Sequence, residues 1–405
     1  MDNKYIIKAK KIVTVSELGS VKDGALLINN GIIAEISKWE DIRVKYPEID
    51  VIDYSNFIIT PGLVECHTHL LEFAPTSLYP VTQDTHFLAG QMIIFKALSS
   101  GITALGEQVC GHPLCDFSIE DYRNAVEALP IDVSFATTSI SIGFEQLAHF
   151  TSVTKSRAVT KADLIDSSIV REIARNSDYP GENIFINATP ANFTATEVPR
   201  AGEVIYSLEE LKHISNIYHQ LGKRIGAHVA GESGIEGALE AGIDVLHHAH
   251  GITDEQIKKA ANNKVEIVAT PIGGTHLQPN SPENILQFVK HNIPVSISTD
   301  AYLPPFEEIP WATFPKGTIV GPDALMLISH PSMQLLKQNG YDENTILALI
   351  TLNPARLMGK EKQFGSLKAG LEANFVVAEG IPGLEIKEVD QIKAVYYKGK
   401  QVIKR

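Results

Sequence analysis

The 405-residue chain predicts an α/β fold, a (β/α)8 TIM barrel with a small β-sandwich domain formed from both termini. Three observations carry that prediction. Eight short apolar segments alternate with helical stretches between Gly62 and Thr299, the pattern of a parallel sheet covered by helices. Both ends of the chain are rich in β-formers broken by turn signals instead. Histidines and an aspartate follow directly on several of the apolar segments, where a barrel carries its active site.

The elements follow in order. Residues 5–15 and 24–28 read as strands, and Asn29-Asn30-Gly31 is a hairpin signal leading into a strand over 32–36. The eight apolar segments are 62–67, 101–106, 133–141, 184–188, 224–229, 244–248, 265–270 and 294–299. Helices are expected over 207–221, 234–241 and 253–262, and Ser207-Leu208-Glu209-Glu210 is a capping box opening the first of these. Strands return over 373–378 and 392–397, with Lys398-Gly399-Lys400 turning into a last one over 401–403. Residues 1–59 and 363–405 are therefore expected to form one composite β domain around a catalytic barrel at 60–362.

Composition narrows the partners. Hydrophobic residues make up 44% and charged residues 20%, ordinary values for a globular protein. A formal net charge of −13 argues against nucleic acid, since phosphate binding needs clustered Lys and Arg. No apolar run is long enough to span a bilayer, and the N-terminus lacks a signal-peptide core, so the expectation is a cytoplasmic protein acting on a small molecule. Three cysteines do not make a disulfide framework. Cys110, His112 and Cys115 lack the Cys-x-x-Cys pairs of a zinc knuckle, so loop thiols are the preferred reading.

The run Thr60-Pro61-Gly62-Leu63-Val64-Glu65-Cys66-His67-Thr68-His69 is the most informative stretch. Alternate side chains of a strand share a face, so His67 and His69 project together beyond its carboxyl end. Paired imidazoles supply half of a tetrahedral metal site. The fifth apolar segment ends in His228, the sixth in His247-His248-Ala249-His250 and the eighth in Asp300. Barrel closure would gather these ends at one rim.

These motifs resemble the amidohydrolase superfamily, particularly its imidazolonepropionase-like and prolidase-like dipeptidase branches. Pro61-Gly62-Leu63-Val64 before His67-x-His69, Gly242-Ile243-Asp244 before His248, and Ser298-Thr299-Asp300 carry the resemblance. Thr351-Leu352-Asn353-Pro354-Ala355-Arg356 and Gly365-Ser366-Leu367-x-x-Gly370 extend it through the rest of the chain. It implies that His67, His69, His228 and Asp300 bind a metal, and that His248 polarises substrate or holds a second metal. Alternation puts His247 on the opposite face, while His250 shares the inward face only if the strand continues.

Binuclear relatives carry a bridging carboxylated lysine on strand four. Here Asn187 occupies the expected position and no lysine lies between Lys161 and Lys212, which favours one divalent ion, zinc first, with iron or manganese as alternatives. Glu107, ending strand two, is an alternative bridging carboxylate, or a loop cap. The resemblance implies hydrolysis by metal-activated water, with Asp300 as proton shuttle and His248 stabilising the oxyanion. The expected substrate is an amide or cyclic amide: an N-acyl amino acid, a dipeptide or a lactam. The alternatives are an aminohydrolase releasing ammonia from a heterocycle and a catalytically inactive scaffold. Glu232 lies one residue farther from His228 than the deaminase His-x-x-Glu spacing and reads as the first turn of the next helix. Arg200, Tyr206 and His276, in loops after strands four and seven, are candidate substrate contacts, Glu72 a weaker one, and a homo-oligomer is an open expectation.

Overall fold

The computed structural model of the chain describes residues 4–71, 83–111, 116–143, 147–189 and 200–405. Glu72, His112 and Cys115 lie outside them. Eight parallel strands form the central layer: Leu63–Thr68, Ile102–Val109, Asp132–Thr137, Ile184–Phe185, Gly226–Ala230, Val245–His250, Glu266–Ala269 and Val295–Ile297. The first three pair in sequence order, and so do the last five. Two seams join the arcs. Thr68 bridges Ala301 in parallel, and the His69 amide donates to Ala301 O at 2.9 Å. On the other side Asn183 Nδ2 donates to Thr137 O at 2.9 Å, and the Asp178 amide to Phe135 O at 2.7 Å.

Each strand coincides with one of the expected apolar segments, with two shifts. The third stops at Thr137, because the chain leaves the barrel for an antiparallel hairpin, Ser139–Gly143 with Leu147–Thr151. The fourth shrinks to two residues, because Asn187 turns out to pair with Val204. Helices cover the strands. Leu208–Gln220 starts as the capping box requires: the Ser207 side chain accepts from the Glu210 amide, and Glu210 accepts from the Ser207 amide at 2.7 Å. The helix Glu232–Glu240 begins at Glu232, with that carboxylate in its first turn.

Both termini build one seven-stranded sheet. Lys4–Val13, Ser20–Asn29, Ile32–Lys38 and Val51–Pro61 come from the front of the chain, and Phe375–Ala378, Ile392–Tyr397 and Lys400–Lys404 from the back. Phe375–Ala378 lies antiparallel to Val51–Pro61, and that strand leads directly into the first barrel strand. Asn30 and Gly31 at φ 50° and 82°, and Lys398 and Gly399 at 47° and 70°, form the two tight hairpin turns. Ile7, Leu26 and Ile28 pack with Phe375, Val377 and Tyr396 in a core of the sheet's own. No helix among the described residues is long and apolar enough to cross a membrane.

Candidate metal centre

The ends of strands one and eight meet first. Glu65, fully buried, accepts from the His67 amide at 3.2 Å and from the Thr299 amide at 2.9 Å, fastening the two strands just below their polar ends. His67 and His69 then point inward, while Thr68 between them turns away to donate to Glu107. His67 Nε2 lies 3.1 Å from Asp300 Oδ1, and His69 Nε2 lies 3.6 Å from the same oxygen.

Glu182 occupies the middle of the site, and no sequence motif pointed to it. Its Oε2 is 3.3 Å from His67 Nε2 and 3.4 Å from His69 Nε2. Its Oε1 is 2.7 Å from both His228 Nδ1 and His248 Nε2. A tight backbone crossing puts it there: a Cβ on Gly226 would lie 1.9 Å from Gly181 O, so only glycine lets strand five approach the turn that carries Glu182. Phe185 stacks on His228 with centroids 4.5 Å apart.

A glutamate five residues before Asn187 stands between the two histidine pairs, so the absence of a lysine at Asn187 does not by itself decide the number of ions. Asn187 is structural: Oδ1 accepts from the Ala230 amide and Nδ2 donates to Gly202 O, both at 2.8 Å. Glu107 is engaged by strand one and the residues just beyond it. Its two oxygens accept from Thr68 Oγ1 and the Leu71 amide, each at 2.7 Å, and burial pushes its carboxyl up to about 7.

Strand six departs from simple alternation. His248 and Ala249 have φ of 71° and 51°, in the left-handed region that costs roughly 1–2 kcal/mol per residue outside glycine. His247 pairs in register with the inward His228, overturning the expectation that it faces away, and the rotation turns His248 inward beside it. His248 Nδ1 meets Thr270 Oγ1 at 2.8 Å, and that hydroxyl donates to Gly273 O at 2.8 Å. His248 thus donates through Nδ1, leaving Nε2 toward Glu182. His250 also lies inside, but it is bound to Thr275 and Thr270 rather than to the cluster.

Of the loop candidates, His276 borders the site. A Cβ on Gly202 would lie 2.3 Å from its ring, and His228 together with burial lowers its pKa. Arg200 is exposed in the same stretch of loop. Tyr206 is buried in the core beside Lys161, whose ammonium lies 5.9 Å from the ring centre. The nearest wall is Gly274, where a Cβ would lie 2.4 Å from Asp300 Oδ2 and 2.5 Å from His248 Cε1.

Electrostatics fit a cation. Burial disfavours charge on Glu182, yet His67, His228 and His248 hold it well below the usual carboxylate range. Asp300 is lowered likewise against its burial, chiefly by His67. Burial opposes charge on His67 too, but Glu182 and Asp300 raise it well above the ordinary value, whereas burial and His228 lower His248 to about 4. His67 Nε2 and His228 Nε2 are buried without a hydrogen-bond partner. Three overlapping triads, His67–His248–Asp300, His67–His69–Glu182 and Glu182–His228–His248, each bring their ligand atoms within 4.8 Å of one another. Imidazole and carboxylate donors at such spacing suit zinc, iron or manganese.

Comparison with known proteins agrees with this architecture. The amidohydrolase family profile matches residues 58–402. An imidazolonepropionase from Aliivibrio salmonicida is 23% identical over 414 aligned residues, covering 93% of this chain and 95% of that protein. A Xaa-Pro dipeptidase solved with methionine in its active site superposes with a TM-score of 0.71 at 16% identity, with all of both chains covered. An adenosine deaminase from Xanthomonas campestris with bound zinc gives 0.67 at 15% identity, covering 98% of this chain and 92% of that one. With the profile running from the strand before the barrel to the last strand of the sheet, the chain belongs to the amidohydrolase family.

Proposed function

We propose that this amidohydrolase cleaves an amide or cyclic amide C–N bond in a small molecule, an N-acyl amino acid, dipeptide or lactam, with two divalent cations. The observation that carries the reading is Glu182, one carboxylate shared between His67 and His69 on one side and His228 and His248 on the other. His67, His69 and Asp300 would hold one ion, His228 and His248 the other, with Glu182 between them. Zinc is the first choice, iron or manganese the next.

When bound, such ions supply the Lewis acidity that makes water nucleophilic near neutral pH. The residues do the rest. Asp300, buried and kept ionised by His67, accepts the proton that the attacking water releases and returns it to the leaving nitrogen. His69, at 14% exposure the most open of the imidazoles, marks the side from which substrate approaches. Gly274 lets its loop come close against Asp300 and His248 on that side, where no larger residue would fit. His276 and Arg200 flank that approach, Arg200 suited to a substrate carboxylate through its fork of donors.

The test is a screen of N-acyl amino acids, dipeptides, lactams and aminated heterocycles on protein of known metal content, scoring amine, ring-opened acid and ammonia separately. Amine or ring-opened product is expected, with Asp300→Asn slower by about 10²- to 10⁴-fold. Ammonia from heterocycles alone would replace this reading with deamination. Undiminished turnover by Asp300→Asn would remove the assigned proton route.

A further inference from the structure

His247 has no part in the chemistry above, yet it is fully buried against the centre. Its Nε2 lies 3.1 Å from Pro180 O, and its Nδ1 lies 2.9 Å from His67 Nδ1. A peptide carbonyl can only accept, so the His247 proton resides on Nε2. Nδ1 of a neutral ring is then bare, and a 2.9 Å contact between two ring nitrogens needs one proton between them. The shared proton therefore comes from His67 Nδ1. That leaves His67 Nε2, 3.1 Å from Asp300 and 3.3 Å from Glu182, as the nitrogen whose lone pair or exchangeable proton faces the carboxylates.

From this chain of donors and acceptors we propose that His247 is a positioning residue: it fixes the tautomer and ring orientation of His67 so that Nε2 is presented to a cation. The inference rests on the metal-centre reading above. It accounts for two features that reading leaves idle. The left-handed backbone at His248 and Ala249 is what brings two adjacent histidines to the same side, one toward Glu182 and one toward His67. The relay also ends on Pro180, two residues before Glu182, so the same hydrogen bonds hold strand one, strand six and the Glu182 turn at a common distance. Ligand imidazoles whose second nitrogen is held by a partner bind metal more tightly, and losing that partner typically costs about 10- to 100-fold in affinity.

The experiment compares zinc and cobalt affinity, by competition with a chromophoric chelator, in wild type, His247→Leu and His247→Gln. Nitrogen-detected NMR of metal-free wild type, with His67→Gln used to assign the signal, reads the His67 tautomer. Leucine removes the acceptor; glutamine offers an oxygen to His67 and an amide proton to Pro180. The expected result is a roughly 10- to 100-fold weaker cation in His247→Leu. Affinity should be largely restored in His247→Gln, with His67 protonated at Nδ1. Equal affinity in wild type and His247→Leu, or a His67 with bare Nδ1, overturns the inference while leaving the metal centre intact. A wild type that takes up no cation at all overturns both. Should His247→Leu fail to fold, the His67 tautomer and the His247→Gln affinity decide.

Discussion

Both oxygens of Glu182 are committed to imidazoles, and the residue is only 1% exposed, so its charge is balanced entirely from within the site. Replacing it with Gln keeps the shape and removes the charge that two cations would share. Glu182→Gln is expected to lose at least one metal equivalent by elemental analysis, with turnover falling on the order of a hundredfold as the remaining ligands lose their register. Wild-type metal content in Glu182→Gln would exclude it as the bridge. The residue also marks where reading by strand ends stops working. His67, His69, His228, His248 and Asp300 were legible because each closes an apolar segment long enough to recognise. Glu182 precedes a strand of only two residues, inside Pro180-Gly181-Glu182-Asn183, which reads as an ordinary polar turn. His247 was misread for a different reason. Alternation assumes extended backbone, and the left-handed φ at His248 is a tertiary feature with no local signature.

Elements here are positioned by what their glycines and caps allow. Gly226 opens strand five, and a methyl there would lie 1.9 Å from Gly181 O and 2.7 Å from Pro180 O. Both obstacles are backbone, so neither can swing aside. Gly226→Ala should therefore cost more than the roughly 1–3 kcal/mol of ordinary overpacking, and should displace Glu182 with the turn. Ser207→Ala is the contrasting change: it removes one cap on an outer helix, for about 1 kcal/mol, and leaves the centre alone. Urea denaturation with parallel metal analysis separates them, and a Gly226→Ala protein with wild-type midpoint and metal content would contradict the crossing described. The Ser207 box could be read directly, because capping is local chemistry. The Gly181–Gly226 approach joins residues 45 apart and leaves no mark at either site.

Across the whole molecule, the two ends of the chain are tied by contacts whose origin is visible in the turn signals at each end. The Asn30-Gly31 and Lys398-Gly399 turns meet, and a Cβ on Gly31 would lie 2.7 Å from Lys398 O. Tyr5, on the first strand, donates its hydroxyl to Gly399 O across nearly the full length of the chain. Alternating β-formers and glycine turns made both halves of this sheet legible, but not their pairing, which depends on the barrel bringing the termini together. Burial, then the neighbouring Tyr54, pushes the Tyr5 phenol up from 10.0 to about 12. In the unfolded chain Tyr5 ionises near pH 10, while the folded protein keeps its proton until about pH 12. Its raised pKa thus contributes stability that is fully present below pH 10 and is lost as pH rises through 12. Tyr5→Phe should lose about 1 kcal/mol at neutral pH, the usual net worth of one hydrogen bond. The gap should then close soon above pH 10 and reverse in sign towards pH 12, because phenylalanine has no proton to release and the rise from 10.0 to about 12 outweighs one hydrogen bond. Unfolding midpoints of both proteins over pH 7 to 12 measure this as a difference, which cancels the tyrosines they share. A gap that stays constant through the alkaline range would mean that the Tyr5 proton is not held by the folded sheet.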